Sequence, residues 1–391
     1  MVFLPSRSFR RRRRSLFTLL LISFVLFLLD TTLLFTSHVP PQRTDKLSPG
    51  LVGEKIYIAS IHRNSEYILR WYWNEALVDL CRFLGPQNVF VSIVESGSQE
   101  NTKDALSDLK EMLDAIGVQN RIQLGETVKE QIWGIEHPPA GEKKGWVETG
   151  RGETGWEKRR ISALAETRNK AMEPLVNDES RQWDRVLWIN DVTFTNEDIA
   201  TLLSTRDGKY AAACSLDFQN NAQTYYDTFA LRDSSGNPTI STHYPFFASK
   251  ASLKALYALL PIPVQSCWNG IVAFDATPFY PPISSLSLSS SHQQKKPEKP
   301  LTFRAIPDSL AQTHLEASEC CLIHTDNPLS LSHGVFLNPN VRVSYNESTY
   351  PLVNPVTKWP EALGRHEAAM ENFLRRERGG EGDARRSGGW P

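Results

Sequence analysis

The sequence predicts an α/β fold with a central, mostly parallel sheet, preceded by one N-terminal transmembrane helix. Three observations carry this expectation: a basic run followed by an apolar stretch near the start, short β-branched apolar runs farther on, and segments of helical periodicity between those runs. With 391 residues the chain suffices for one large domain or two smaller ones, each with a real core.

Arg10 to Arg14 precede Ser15 to Thr36, an apolar stretch interrupted by Asp30. A bilayer takes roughly 20 residues to cross, and arginines resist translocation, so this order keeps residues 1–14 in the cytosol and sends the remainder into a lumen. Leu16 to Leu29 would also serve as the apolar part of a cleaved signal peptide, although no small-x-small cleavage site follows. Residues 37–54, with Pro40, Pro41 and Pro49, read as a stem.

Folding is expected to begin at Lys55. Ile56 to Ile61 suits a buried strand, Tyr67 to Phe83 repeats apolar residues at helical spacing until Gly85-Pro86 stops it, and Asn88 to Val94 is a second strand. Thr102 to Ile116 carries Leu106, Leu109, Met112, Leu113 and Ile116 on one helical face. Residues 133–158, rich in Gly, Glu, Lys and Trp, read as a surface loop insertion. A helix over Arg160 to Leu175 follows, then a strand over Val186 to Ile189 that runs into Asn190-Asp191, then a strand over Tyr210 to Leu216 with Asp217 at its end. The Ser/Lys/Gln tract 284–300 reads as a disordered or mobile insertion, and the Arg/Glu/Gly-dense tail from Gly364 as frayed.

Composition excludes several classes. Hydrophobic residues make up 40% and charged residues 22%, with a net charge of -1, which is globular and gives no overall attraction to nucleic acid. Five cysteines permit one or two disulfides and leave at least one thiol unpaired, and no zinc spacing occurs. Neither a Gly-x-Ser-x-Gly elbow, a His-Glu-x-x-His pair, a Walker loop nor a kinase set is present.

Ligands of an open parallel sheet bind outside the carboxyl ends of its strands. Ser60-Ile61-His62-Arg63, Glu95-Ser96-Gly97-Ser98 and Asn190-Asp191 stand there. The Ser/Gly segment is either a turn beside a nucleotide or an ordinary loop. Asp191 follows a buried strand directly, where a carboxylate is placed either to ligate a hard cation bridging two phosphates or to form a turn or cap. Thr195 and Asn196 are the better caps for the helix near Asp198, which leaves less need for Asp191 in that role. Farther on, Trp268 is either a platform for a sugar ring, with Asn269 bonding its hydroxyls, or a core residue. His324 and Asp326, alternating on a segment read as extended, are either further ligands or structural groups.

Taken in order, these clusters resemble the fungal capsule-type α-1,3-mannosyltransferases. The resemblance spans Ile56 to Pro328. It rests on Ile58-Ala59-Ser60 with Asn64, Ser92 to Ser98, Ala165-Glu166-Thr167-Arg168-Asn169, Leu187 to Val192, Tyr226-Asp227-Thr228 with Arg232-Asp233, Ser266 to Gly270, and Ser318-Glu319-Cys320. It implies a GT-A-like fold, a single-pass type II protein of the Golgi membrane, GDP-mannose as donor, a mannose-containing glycan as acceptor, and retaining transfer. Asn190-Asp191-Val192 occupies the place of the Asp-x-Asp metal motif but departs from it, so the resemblance gives Asp191, aided by His324, a divalent cation, Mn2+ first. It gives donor binding to Ser60, Arg63, Glu95, Ser96, Arg168, Asn169, Asn190, Trp268 and Asn269, and makes Glu319 and Asp227 the candidate catalytic carboxylates. Two other classes compete: a non-catalytic partner of this fold in glycan synthesis or export, and a sugar-phosphate transferase using the same nucleotide site.

Overall fold

The computed structural model describes residues 43–281 and 299–355, with Thr18, Leu21, Ser23, Phe24 and Val25. The membrane segment expected over 15–36 falls, apart from those five positions, outside the described residues, as do most of the 284–300 tract and the tail from Gly364. Among the described residues no helix is long and apolar enough to cross a membrane.

A nine-stranded sheet forms the centre, in the order β3-β2-β1-β6-β10-β7-β11-β9-β8. Its strands are β1 (Ile56–His62), β2 (Val89–Glu95), β3 (Gln119–Gln123), β6 (Arg185–Ile189), β7 (Ala212–Phe218), β8 (Arg232–Asp233), β9 (Ile262–Ser266), β10 (Ile271–Asp275) and β11 (Val335–Ser344). β10 and β9 run against the other seven, so the sheet is mixed yet mostly of one direction. Alternation along the strands feeds two cores. Tyr57 and Ala59 of β1 and Val186 and Trp188 of β6 enter one, and Ile56, Ile58, Leu187 and Ile189 enter the other. Burial on both faces explains why these strands read as unbroken apolar runs.

Helices α1 (Asn74–Leu84), α2 (Thr102–Ala115) and α5 (Asn196–Leu203) cover the second face; α4 (Arg160–Val176), α6 (Lys250–Tyr257) and α7 (Glu319–Asp326) cover the first. The end of a short α3 (Val128–Glu136) and the hairpin β4 (Trp146–Glu148) with β5 (Trp156–Lys158) fall within the segment expected to be a loop, which corrects that reading for those residues and leaves the larger part of it as loop. Thr127 starts α3 with a capping box to Glu130, a local signal at the edge of the segment.

The stem expectation is corrected for its second half. Arg43 bonds Asp198 at 2.9 Å and Asn354 at 2.7 Å, the Thr44 N–H donates to Thr201 at 2.9 Å, and Leu51 is buried. Residues 43–54 are therefore docked on the domain.

Candidate active site at the carboxyl ends of β1, β6 and β7

From β1 the chain turns to β2 on one side, while β6 lies on the other. Loops leaving β1 and β6 therefore diverge around a crevice, the position where open sheets bind ligands. They meet at Asp191, whose Oδ2 accepts from the Ser65 hydroxyl at 3.2 Å. Between Ser65 and α1 the helix passes through a π segment, Leu69–Trp73, that carries the buried Trp73 beneath this loop. Its indole N–H donates to the Asn190 carbonyl at 2.9 Å.

Each member of Asn190-Asp191-Val192 has a different task. The Asn190 amide donates to the Tyr345 hydroxyl at 3.0 Å and accepts from the Trp268 indole at 3.1 Å, so its polar atoms brace two aromatic rings. Val192 is fully buried. Only Asp191 presents a partly exposed carboxylate, and burial pushes its pKa up. Thr195 and Asp198 form the capping box of α5, so Asp191 caps nothing there.

A second acidic group adjoins the first. Asp217 on β7 accepts from the Asp227 main-chain N–H at 3.1 Å, and Asp227 accepts from the N–H groups of Ala230 at 3.0 Å and Asn269 at 3.4 Å. Burial pushes both carboxyls up, Asp217 well up, and the mutual repulsion of two buried charges adds to Asp217. Asp217 Oδ2, Asn269 Nδ2 and the Tyr225 hydroxyl are buried without a hydrogen bond. Tyr345 ties the groups together: burial first, then Asp217, Asp191 and Asp227, push its hydroxyl well up.

The third element differs from the sequence reading. Arg168 of α4 is buried, donates from Nε to Glu319 at 3.0 Å, and lies 4.1 Å above the Trp268 ring. Its guanidinium is thus occupied by a protein carboxylate and an aromatic face rather than held open for a donor phosphate, with Nη1 buried and unbonded. Trp268 is only 2% exposed and packs on Trp188 and Phe303, so it is a core residue and offers no face to a sugar. Asn269 is fully buried with φ 62°, and its Oδ1 accepts from the Trp268 N–H at 2.8 Å. A Cβ on the following Gly270 would stand 2.7 Å from Val343, which requires glycine to close the turn.

His324 stands apart from Asp191. It lies within α7, not on an extended segment, and its Nε2 is 2.6 Å from the Cys267 carbonyl. Burial pushes its pKa down to about 4. Beside it, Cys214 and Cys267 form a disulfide, leaving Cys81, Cys320 and Cys321 as thiols. Among the described residues the close trio of potential metal ligands is Cys214, Cys267 and His324, and the disulfide consumes its thiolates.

The remaining candidates brace loops. Ser60 donates to the Ile189 carbonyl at 2.6 Å, joining β1 to β6. Glu95 accepts from the Ser98 hydroxyl at 2.6 Å and the Gly125 N–H at 3.1 Å, which folds Ser96-Gly97 over a cavity of about 310 Å³ walled also by Lys158, Thr167 and Lys170. Burial lowers the pKa of Arg63, and the charge of Glu95 opposes that. Asn169 exchanges two hydrogen bonds with the Phe303 main chain, at 2.8 and 2.9 Å. Sequence reasoning missed Ser65, Tyr345 and Asp217 as site residues, although Asp217 ends a strand as Asp191 does.

The family model described as Cryptococcal mannosyltransferase 1 matches residues 55–326, which include every candidate residue. Alpha-1,3-mannosyltransferase CMT1 of Cryptococcus neoformans var. neoformans is 27% identical over 307 residues, 74% of this chain and 57% of that relative, so the chain spans little more than half of the relative's length. The mannosyltransferase PcManGT from Pyrobaculum calidifontis, solved in complex with GDP-Man and Mn2+, aligns at 9% identity and a TM-score of 0.37, over 92% of this chain and 73% of that one. S. aureus TarS 1-349 aligns at 10% identity and 0.36, over 82% and 71%; likenesses at this level carry no argument. The family match covers well over half of the chain and takes in both loops that meet at Asp191, and on that ground the chain belongs to the Cryptococcal mannosyltransferase 1 family.

Proposed function

We propose that the chain is a glycosyltransferase of GT-A-like design that moves mannose from GDP-mannose to a mannose-containing glycan, with an α-1,3 linkage and retention at the anomeric carbon. The observation that carries this reading is the placement of Asp191, bonded by Ser65, and of the hydrogen-bonded Asp217–Asp227 pair at the carboxyl ends of β6 and β7, with Tyr345 joined to Asn190. Family membership and the name of the cryptococcal relative support the sugar and the linkage.

Asp191 fits a divalent cation such as Mn2+, because it offers hard oxygen at the crevice while Asn190, Val192 and His324 are committed elsewhere. One protein carboxylate supplemented by donor phosphates is a usual arrangement for such ions. A bound cation would neutralise charge developing on the departing diphosphate. Ser65 holds the Asp191 carboxylate in place, and Asn190 fixes Trp268 and Tyr345 around it. Within the acidic pair, burial pushes both carboxyls up and the repulsion of Asp227 adds to Asp217, so the pair favours sharing a proton. Asp227, only partly buried at the crevice, is the member placed to attack or stabilise the anomeric carbon. Glu319 is held by Arg168 and serves as its counter-charge.

The commitment of Asn190 and Arg168 to internal partners favours a second reading, a non-catalytic partner in glycan synthesis or export. Full-length protein incubated with a panel of labelled nucleotide-sugars separates the two. Mannose transfer or hydrolysis of GDP-mannose supports the enzyme; folded protein inert to the whole panel supports the partner; transfer of sugar phosphate contradicts both.

Residues 1–36 enter the proposal as an uncleaved anchor that holds the folded domain in the Golgi lumen, by virtue of the arginine run before the apolar stretch. Glycan addition at the Asn346-Glu347-Ser348 sequon reports lumenal exposure. Removal of the domain by protease added outside intact microsomes contradicts this topology.

A further inference from the structure

The rim of the acidic centre carries aromatic side chains that neither core absorbs. Tyr226, in the turn after β7, is 47% exposed, whereas its neighbour Tyr225 is fully buried. The Tyr226 N–H donates to the Asp217 carbonyl at 3.0 Å, which fixes the residue beside the acids. Its ring lies 4.8 Å from that of Tyr345 at an interplanar angle of 58°. Burial first, then the charges of Asp217, Asp191 and Asp227, push the Tyr226 hydroxyl up, and Arg160 offsets part of that. Two residues beyond Tyr345, Glu347 accepts from the Tyr67 hydroxyl at 3.2 Å, and Tyr67 is 59% exposed.

One exposed aromatic ring is ordinary on a protein surface. Exposed tyrosines on the lip of a carboxylate centre, connected through Tyr345 and Glu347, are a more specific arrangement. Open ring faces favour the C–H face of a pyranose, and neighbouring carboxylates accept from its hydroxyl groups. At the Tyr67 end of the strip an acidic ligand would meet Glu347 and be repelled.

We propose that Tyr226, backed by Tyr345 and extended through Glu347 to Tyr67, forms a subsite for a neutral glycan and selects the acceptor. Identification of that glycan as the acceptor rests on the glycosyl-transfer reading above. The subsite itself does not, since it predicts binding without donor.

The test titrates full-length protein with an α-1,3-linked mannotriose, without nucleotide-sugar, and follows tyrosine fluorescence and ligand saturation-transfer NMR. Tyr226→Ala is expected to weaken binding at least about tenfold with an unchanged melting temperature, whereas Tyr226→Trp retains a ring and stays within about threefold of the wild type. Unchanged binding in Tyr226→Ala overturns the subsite, as does a wild-type protein that binds no mannotriose because another segment of the chain covers the strip. Binding by a wild type that transfers nothing contradicts the glycosyl-transfer reading and leaves the subsite standing. Mannose transfer with an unchanged acceptor KM in Tyr226→Ala does the reverse.

Discussion

Substituting Arg168 separates a buried brace from a donor-binding group. Arg168→Met keeps an apolar stem over Trp268 and removes the guanidinium, leaving Glu319, 2% exposed, without its cation. Breaking a buried pair from one side costs about 3–5 kcal/mol. Loss of the guanidinium from its place 4.1 Å above Trp268 adds up to about 2 kcal/mol. Relief of the buried, unbonded Nη1 offsets about 1–3 kcal/mol, so a net loss of about 3 kcal/mol is expected. Pairing the substitution with Glu319→Leu removes both charges and should recover most of that loss, because an apolar replacement of a whole buried pair is near neutral. Denaturant unfolding of the wild type, the two single variants and the double variant completes the cycle. If Arg168→Met stays within about 0.5 kcal/mol of the wild type and yet loses donor binding, the brace account is wrong and Arg168 contacts the donor.

Two further outcomes follow from buried groups on the first face. His324 is neutral in the fold, with its pKa pushed down from 6.5 to about 4, so the unfolded chain takes up its proton first and stability falls as pH drops from 6.5 toward 4. His324→Gln should flatten that fall by about 2 kcal/mol at pH 5, measured by denaturant midpoints across pH; an unchanged slope would show that the ring titrates normally. The Cys214–Cys267 disulfide joins β7 to the turn bearing Trp268 across a separation of 53 residues, so Cys214→Ala with Cys267→Ala should cost about 4 kcal/mol by loop-closure entropy. A stability loss below about 1 kcal/mol in that variant would argue against the bond.

Much of the scaffold was legible because both faces of the sheet are buried. The runs at Ile56, Val89 and Val186 and the periodic helices at Thr102 and Arg160 needed only local pattern. Segment 133–158 was misread because its strands are three residues long, too short for alternation to show. His324 was misread for a related reason: the buried face of α7 carries the polar Glu319 and His324 beside Cys320 and Ile323, so no apolar stripe marks it as a helix, although Ser318 caps it. Residues 43–54 look like a linker by composition, and their docking depends on Asp198 and Thr201, far along the chain.

Within the site, the position of Asp191 just beyond a buried strand was legible, and Thr195 takes the helix cap as expected. The role of Arg168 was not, since its partner Glu319 lies 151 residues away and only the fold brings them together. Trp268 and Asn269 looked like ligand contacts because aromatic and amide groups in a Gly-containing turn serve either purpose, and burial decides between them. Tyr345 lies beyond the segment that carries the family resemblance, and its contacts with Asn190 and Tyr226 are tertiary.

The central claim is that Asp191 works on a ligand and the fold does not depend on it. Asp191→Ala and Asp191→Asn, each assayed for melting temperature and for mannose transfer from GDP-mannose with and without added manganese, test it directly. The account predicts that Asp191→Ala loses at least about a hundredfold in transfer, equivalent to about 3 kcal/mol, with Asp191→Asn nearly as impaired because a neutral amide binds a hard cation poorly. Among the described residues its side-chain hydrogen-bond partner is the buried Ser65, through one long bond of 3.2 Å, so stability should change by about 1 kcal/mol or less. A variant that keeps near-normal transfer while losing stability would contradict the account and return Asp191 to a structural role.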